Sequence, residues 1–172
     1  MRPAVDPTRL QAFLEQLSRA VKQPTRLYLT GGASQLARGL RDSTVDIDLT
    51  LDPENDDVLR SMVALKESLD INVELVSPAH FVPALPGWRD RCEFIEQFGK
   101  LAVHHFDPYT QALSKIERGH QRDSTDVETL IREGIVDPSR LRALFREVEA
   151  ELFRYPAIDA KSLKASVDRL GG

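Results

Sequence analysis

Apolar residues at Leu10, Phe13, Leu14, Leu17 and Val21 recur at the three- and four-residue spacing of one helix face. Asp6 and Pro7 precede them as N-cap and first helical residue, and Pro24 closes the element. The period then changes. "RLYLTGG" reads as a short strand running into Gly31-Gly32, and "ASQLARGL" as a helix closed at Gly39. In "TVDIDLTL" every second residue is apolar (Val45, Ile47, Leu49, Leu51), the period of a strand with one buried face. Asp52-Pro53 predicts the start of a helix running from about Glu54 to Leu69, and "INVELVS" a third strand stopped by Pro78. "PALPGW" reads as a loop, and "EFIEQFGKLAVHHFD" as a hairpin with Gly99 near its turn.

From Pro108 onward the pattern is helical: "PYTQALSKIERG", "DSTDVETLIREG", "PSRLRALFREVEAELF" and "AKSLKASVDRL", with Gly119 and Gly134 as terminators and Pro138 and Pro156 as starts. The expected fold is α/β of the α+β kind. A small mixed β-sheet with flanking helices spans residues 1–106, and a C-terminal helical lobe, 107–172, packs on it.

Hydrophobic residues make up 41% of the 172 and aromatics 6%, so the core is mainly aliphatic. A net charge of −4 makes the chain a poor general nucleic-acid binder. The single cysteine, Cys92, excludes an internal disulfide and a Cys-rich zinc site, and fits a reducing cytoplasm. No apolar run approaches a membrane span and the N-terminus has no signal-peptide core, so a cytoplasmic protein without a membrane partner is expected.

The unusual feature is two aspartates in a strand, where Asp is disfavoured. Asp46 and Asp48 share one face, with side-chain origins about 6.5–7 Å apart. A solvated face explains such a pair taken alone. A divalent cation explains it too, because it relieves the repulsion, and hard carboxylate oxygens suit Mg²⁺ or Mn²⁺. Gly31 and Gly32, at the preceding strand end, would let backbone approach a phosphate, and Ser34 adds a hydroxyl donor. Glu74, facing away from Val73 and Leu75 in the third strand, supplies a third carboxylate as metal ligand or general base. In the helical part, Lys115, Arg118 and Arg122 follow helical spacing unless Gly119 breaks the helix. Asp126 lies one turn beyond Arg122.

"GGASQLARGLRDSTVDIDL" resembles the signature of the DNA polymerase β-like nucleotidyltransferase superfamily: a glycine turn, a short helix, D-x-D on the next strand, and a carboxylate on a later one. With "VELVSP" and "DPYTQALSKIERGHQRDSTDV", the chain also resembles a small bacterial nucleotidyltransferase-domain group related to abortive-infection and type IV toxin nucleotidyltransferases. The resemblance implies Asp46, Asp48 and Glu74 as catalytic metal ligands and Gly31, Gly32 and Ser34 as the nucleotide-phosphate turn. It implies Lys115 and Asp126 as further catalytic residues, with Asp123 competing for the latter; the helical spacing of Lys115 and Arg118 would let them meet the nucleotide's phosphates. It also implies NTP as substrate, Mg²⁺ or Mn²⁺ as cofactor, a tRNA end or protein as acceptor, and an antitoxin protein as partner. Arg38 and Arg41, with Lys115, Arg118 and Arg122, are the cations an RNA acceptor would need. The alternative is a non-catalytic nucleotide- or partner-binding module with the same fold, and the oligomeric state stays open.

Overall fold

Side-chain caps set most helix starts in the computed structural model, which describes residues 1–171. Asp6 accepts from the Arg9 amide at 2.8 Å and opens α1 (Pro7–Ser18). Strand β1 (Thr25–Thr30) leads into α2 (Gly31–Ala37), and β2 (Asp46–Asp52) into α3 (Asp56–Ser68). The start expected at Asp52-Pro53 is displaced. Strand β2 runs through Asp52, and Asn55 is the cap that the helix uses, accepting from Asp57 and Val58 amides. Then come β3 (Asn72–Leu75), β4 (Phe94–Phe98), β5 (Leu101–His105), α4 (Pro108–Arg118), α5 (Gln121–Arg132), α6 (Pro138–Val148) and α7 (Ala160–Asp168). Pro156 starts no helix; Asp159 caps α7 instead, accepting from the Ser162 amide. The expected single helix to Phe153 ends at Val148 and tightens into a 3-10 turn, Glu149–Arg154.

The sheet order is β3-β2-β1-β5-β4. Strand β1 pairs antiparallel with β2 and parallel with β5; β2 and β3 are parallel, and β4 and β5 form the expected hairpin. Gly99, at its turn, has φ +57°. One sheet face carries Leu27, Leu29, Ile47, Leu49, Val73, Leu101 and Val103, packed in one cluster with residues of α1, α2 and α3. A fully buried Leu or Ile contributes roughly 1.5–3 kcal/mol. A one-residue slip of β2 would exchange Ile47, Leu49 and Leu51 for Asp46, Asp48 and Thr50, so the core fixes where Asp46 and Asp48 point. Leu75 departs from the expected pattern: it ends a four-residue edge strand and is 37% exposed.

The chain divides into two compact units: Met1–Ser77 with Glu93–Phe106, and Pro78–Cys92 with the chain from Asp107 onward. The second unit has its own core, including Leu85, Leu113, Leu141, Phe145 and Val167. Within it Asp107, fully buried, ties two segments together. It receives Arg91 Nε and Nη2 at 2.9 and 2.8 Å and the Thr110 hydroxyl at 2.7 Å, while capping α4.

Candidate active site

Register brings the carboxylates of the first unit together. Asp48 stands opposite Glu74 on β3 and opposite Thr30 on β1, and Asp46 opposite Asn72. Paired residues share a face, and neighbouring strands lie about 4.8 Å apart. Asp46, Asp48 and Glu74 therefore lie on the face opposite the aliphatic core, Asp46 and Asp48 half-buried and Glu74 exposed. Among the described residues no three His, Cys, Asp or Glu side chains already converge as a metal cage.

The glycine turn lies against this face. Gly31 follows Thr30 directly and has φ +59°, a conformation that disfavours any side chain. A Cβ at Gly31 would lie 3.7 Å from Asp48 Oδ2, so turn and carboxylate are in contact range. Gly32 is needed for close approach: a Cβ there would lie 2.2 Å from Thr44 Oγ1 and 2.9 Å from Arg41 Nη1. The space beside Gly32 thus belongs to two side chains from the loop before β2. Sequence reasoning counted Arg41 among cations for RNA and gave Thr44 no role. The signal is a packing one, since both lie a dozen residues or fewer from Gly32 but touch it only once the loop folds back.

Ser34 is buried, and its Oγ lies 2.9 Å from His105 Nδ1. Burial, then the Arg38 guanidinium and His104, push His105 down to about 3, so its imidazole is neutral. Burial, and beyond it Arg26, also lowers His104, which partly offsets this by a contact with the Ala102 carbonyl. The two histidines face opposite sides, as adjacent strand residues must. His104 packs its ring near Tyr28 and Phe94. Arg38 turns to Glu93, with Nη1 3.3 Å from Oε2 and its side chain 11% exposed.

The remaining candidates lie in the second unit. Gly119 ends α4, so Lys115 and Arg118 do not continue helically to Arg122. Lys115 is buried and donates to Asp126 Oδ2 at 2.6 Å. Arg118 binds Asp123 through Nε and Nη2 at 3.1 and 2.9 Å, with Asp123 buried. Both expected aspartates are thus partners of the expected cations. Arg38, Lys115 and Arg118, all considered for RNA, are each paired with a carboxylate.

No helix among the described residues is long and apolar enough to cross a membrane. No curated protein matches the chain significantly, and no solved structure does. A sequence-family model does match, over residues 8–167, nearly the whole chain, a span that contains the glycine turn, all three carboxylates and the Lys115–Asp126 and Arg118–Asp123 pairs. The chain belongs to that family, described as a nucleotidyltransferase of unknown function (DUF6036).

Proposed function

We propose that the protein transfers a nucleotidyl group from an NTP to an acceptor hydroxyl at the carboxylate face of its first unit. The observation that carries this reading is the register. Asp48 is opposite Glu74, two residues from Asp46, and within contact range of Gly31. The donor set is three hard carboxylates with no thiolate or imidazole, which suits Mg²⁺ or Mn²⁺. Magnesium is commonly held by one or two carboxylates, with water and substrate phosphates completing its shell. Asp46 and Asp48 would hold it, with Glu74 as a third ligand or as the base. When bound, the ion supplies positive charge to the reacting phosphate.

The chain's own residues do the rest. Gly31, with no side chain beside Asp48, admits a polyphosphate against the backbone, while Gly32 lets Thr44 and Arg41 close in on the turn. Glu74, exposed beside Asp48, takes the proton of the acceptor hydroxyl. The acceptor oxygen bonds to the α-phosphorus while the bond from that phosphorus to the bridging oxygen breaks. Pyrophosphate leaves with the electron pair. The engagement of Lys115, Arg118 and Arg38 by carboxylates favours a protein or short RNA end over a long RNA as acceptor. A role as the toxin of a bacterial toxin–antitoxin pair rests on the resemblance of "STVDIDL" and its neighbours to toxin nucleotidyltransferases.

The test is transfer of α-labelled NTP, each nucleotide in turn, with Mg²⁺ or Mn²⁺, onto total tRNA and onto protein. Label transferred by the parent and lost in folded Asp46→Asn and Asp48→Asn supports the reading. Transfer that survives both substitutions refutes it. NTP binding without transfer to any acceptor supports a binding module instead.

A further inference from the structure

We propose that Arg41 binds the pyrophosphate half of the NTP, and that Gln35 is the positioning residue holding it there. This deepens the nucleotidyltransferase reading and rests on it. The two turn glycines face different partners. Asp48 Oδ2 is 3.7 Å from the Cβ position of Gly31, and Arg41 Nη1 is 2.9 Å from that of Gly32. Consecutive Cα atoms are only about 3.8 Å apart. A carboxylate and a guanidinium therefore both lie beside one short turn. A polyphosphate crossing the turn would meet the carboxylate end at its reacting phosphorus and the guanidinium at its leaving end. A planar fork of donors suits phosphate oxygens better than a point charge does.

Gln35 supplies the independent observation. It is 3% exposed, and its Oε1 accepts from Arg41 Nε at 3.3 Å. Arginine has donors only, so the amide must turn its oxygen toward Arg41. Its Nε2 is then buried with no hydrogen-bond partner. A buried donor left unsatisfied is destabilising, and a leucine of similar size would avoid it. Holding the Nε edge of Arg41, with Nη1 beside Gly32, is the use that accounts for a glutamine there. The backbone reinforces this. Thr44, three residues after Arg41, is bridged to Val5 by two amide–carbonyl bonds of 2.7 and 2.9 Å, which anchors the loop.

The experiment is calorimetric binding of pyrophosphate, tripolyphosphate, NTP and NMP with Mg²⁺ to the full chain and to four variants, with thermal melts and transfer kinetics. Arg41→Ala is expected to weaken pyrophosphate and tripolyphosphate by about tenfold to a hundredfold, the range for a hydrogen bond to a charged group, and to spare NMP. Arg41→Lys regains part of that. Gln35→Leu melts higher than the parent yet binds the same polyphosphates more weakly, raising KM more than it lowers kcat. A folded Arg41→Ala protein that binds pyrophosphate as the parent does overturns the inference, even if Asp46→Asn abolishes transfer and the nucleotidyltransferase reading stands. Gln35→Leu with unchanged affinity overturns the positioning role. A parent protein that binds neither NTP nor pyrophosphate overturns the nucleotidyltransferase reading itself and the inference with it.

Discussion

Alanine at position 32 adds one methyl group at the centre of the turn. Built on the present backbone, its Cβ lies 2.2 Å from Thr44 Oγ1, 3.1 Å from Thr44 Cβ and 2.9 Å from Arg41 Nη1. The arginine end can swing aside. The threonine cannot do so cheaply: it is 6% exposed, its backbone is bonded both ways to Val5, and its hydroxyl donates to the Asp46 carbonyl at 3.1 Å. Reaching ordinary contact requires the hydroxyl to withdraw by more than 1 Å. Overpacking of this kind costs about 1–3 kcal/mol, or roughly 2–12 °C in Tm for a chain of this size. The push is delivered two residues before Asp46, and a misplacement of about 1 Å at a reacting centre costs on the order of a hundredfold in rate. Gly32→Ala is therefore expected to fold, melt lower and transfer about a hundredfold more slowly. Adding Thr44→Ala leaves Thr44 Cβ at 3.1 Å and the movable Arg41 Nη1 at 2.9 Å, both of which neighbours can absorb, at the loss of one hydrogen bond. The double variant should regain most of the melting temperature and part of the rate. Melts and labelled-NTP transfer on the four proteins decide it. A Gly32→Ala protein that melts and transfers like the parent, or a double variant no better than the single, refutes the claim that the glycine exists to admit Thr44.

Asp46→Asn and Asp48→Asn should each lower transfer by about 10³-fold or more, because several kcal/mol of charge stabilisation is lost. They should not lower Tm, and they should abolish any Mg²⁺-dependent rise in Tm seen with the parent. His105 remains neutral in the folded state down to about 3, while the unfolded chain takes up its proton below 6.5. The unfolded state therefore binds more protons between those values. Stability falls as pH drops through that window, by up to about 1.4 kcal/mol per pH unit from this group. His105→Gln should flatten the profile in urea melts, and an unchanged slope would show that other groups set it. Asp107→Ala removes the buried partner of Arg91 and the cap of α4, and should cost about 3–5 kcal/mol by chemical denaturation. A loss under 1 kcal/mol, about the worth of one ordinary hydrogen bond, would mean that solvent reaches the pair.

Period and punctuation in the chain were enough to place most elements. The switch from helical spacing at Leu10–Leu17 to alternation at Val45–Leu51 located α1 and β2, and Gly99 located the β4–β5 hairpin. Local ambiguity caused the errors. Asp52 and Asn55 are both good caps three residues apart, and strand pairing of Asp52 with Arg26 decided between them. Pro156 competed in the same way with Asp159. For the site, alternation gave the shared face of Asp46 and Asp48, but the neighbour of Asp48 depended on parallel pairing with β3, which no local pattern encodes. The same holds for Ser34 with His105, joined through the parallel β1–β5 register, and for Gln35, Arg41 and Thr44, joined by a loop folding back on α2. Ion pairing was equally hidden. Lys115 and Asp126 were singled out as catalytic residues and not as an ion pair, and only the packing of α4 on α5 makes them partners.

Glu74 has a second consequence through its place in the sheet. Strand β3 is the outermost strand beside β2, four residues long, with Leu75 37% exposed at its end. An open edge of that kind is a template on which another chain can pair, and a charge in its middle is a standard deterrent. The carboxylate proposed for proton transfer thus also stands where a charge is expected to discourage two copies from zipping edge to edge. A variant with valine at 74 would combine lost chemistry with a sticky border, and its inactivity could come from precipitation. Glutamine, or lysine where the charge is to be reversed, keeps that border soluble and lets the chemical role of position 74 be read without interference from self-association.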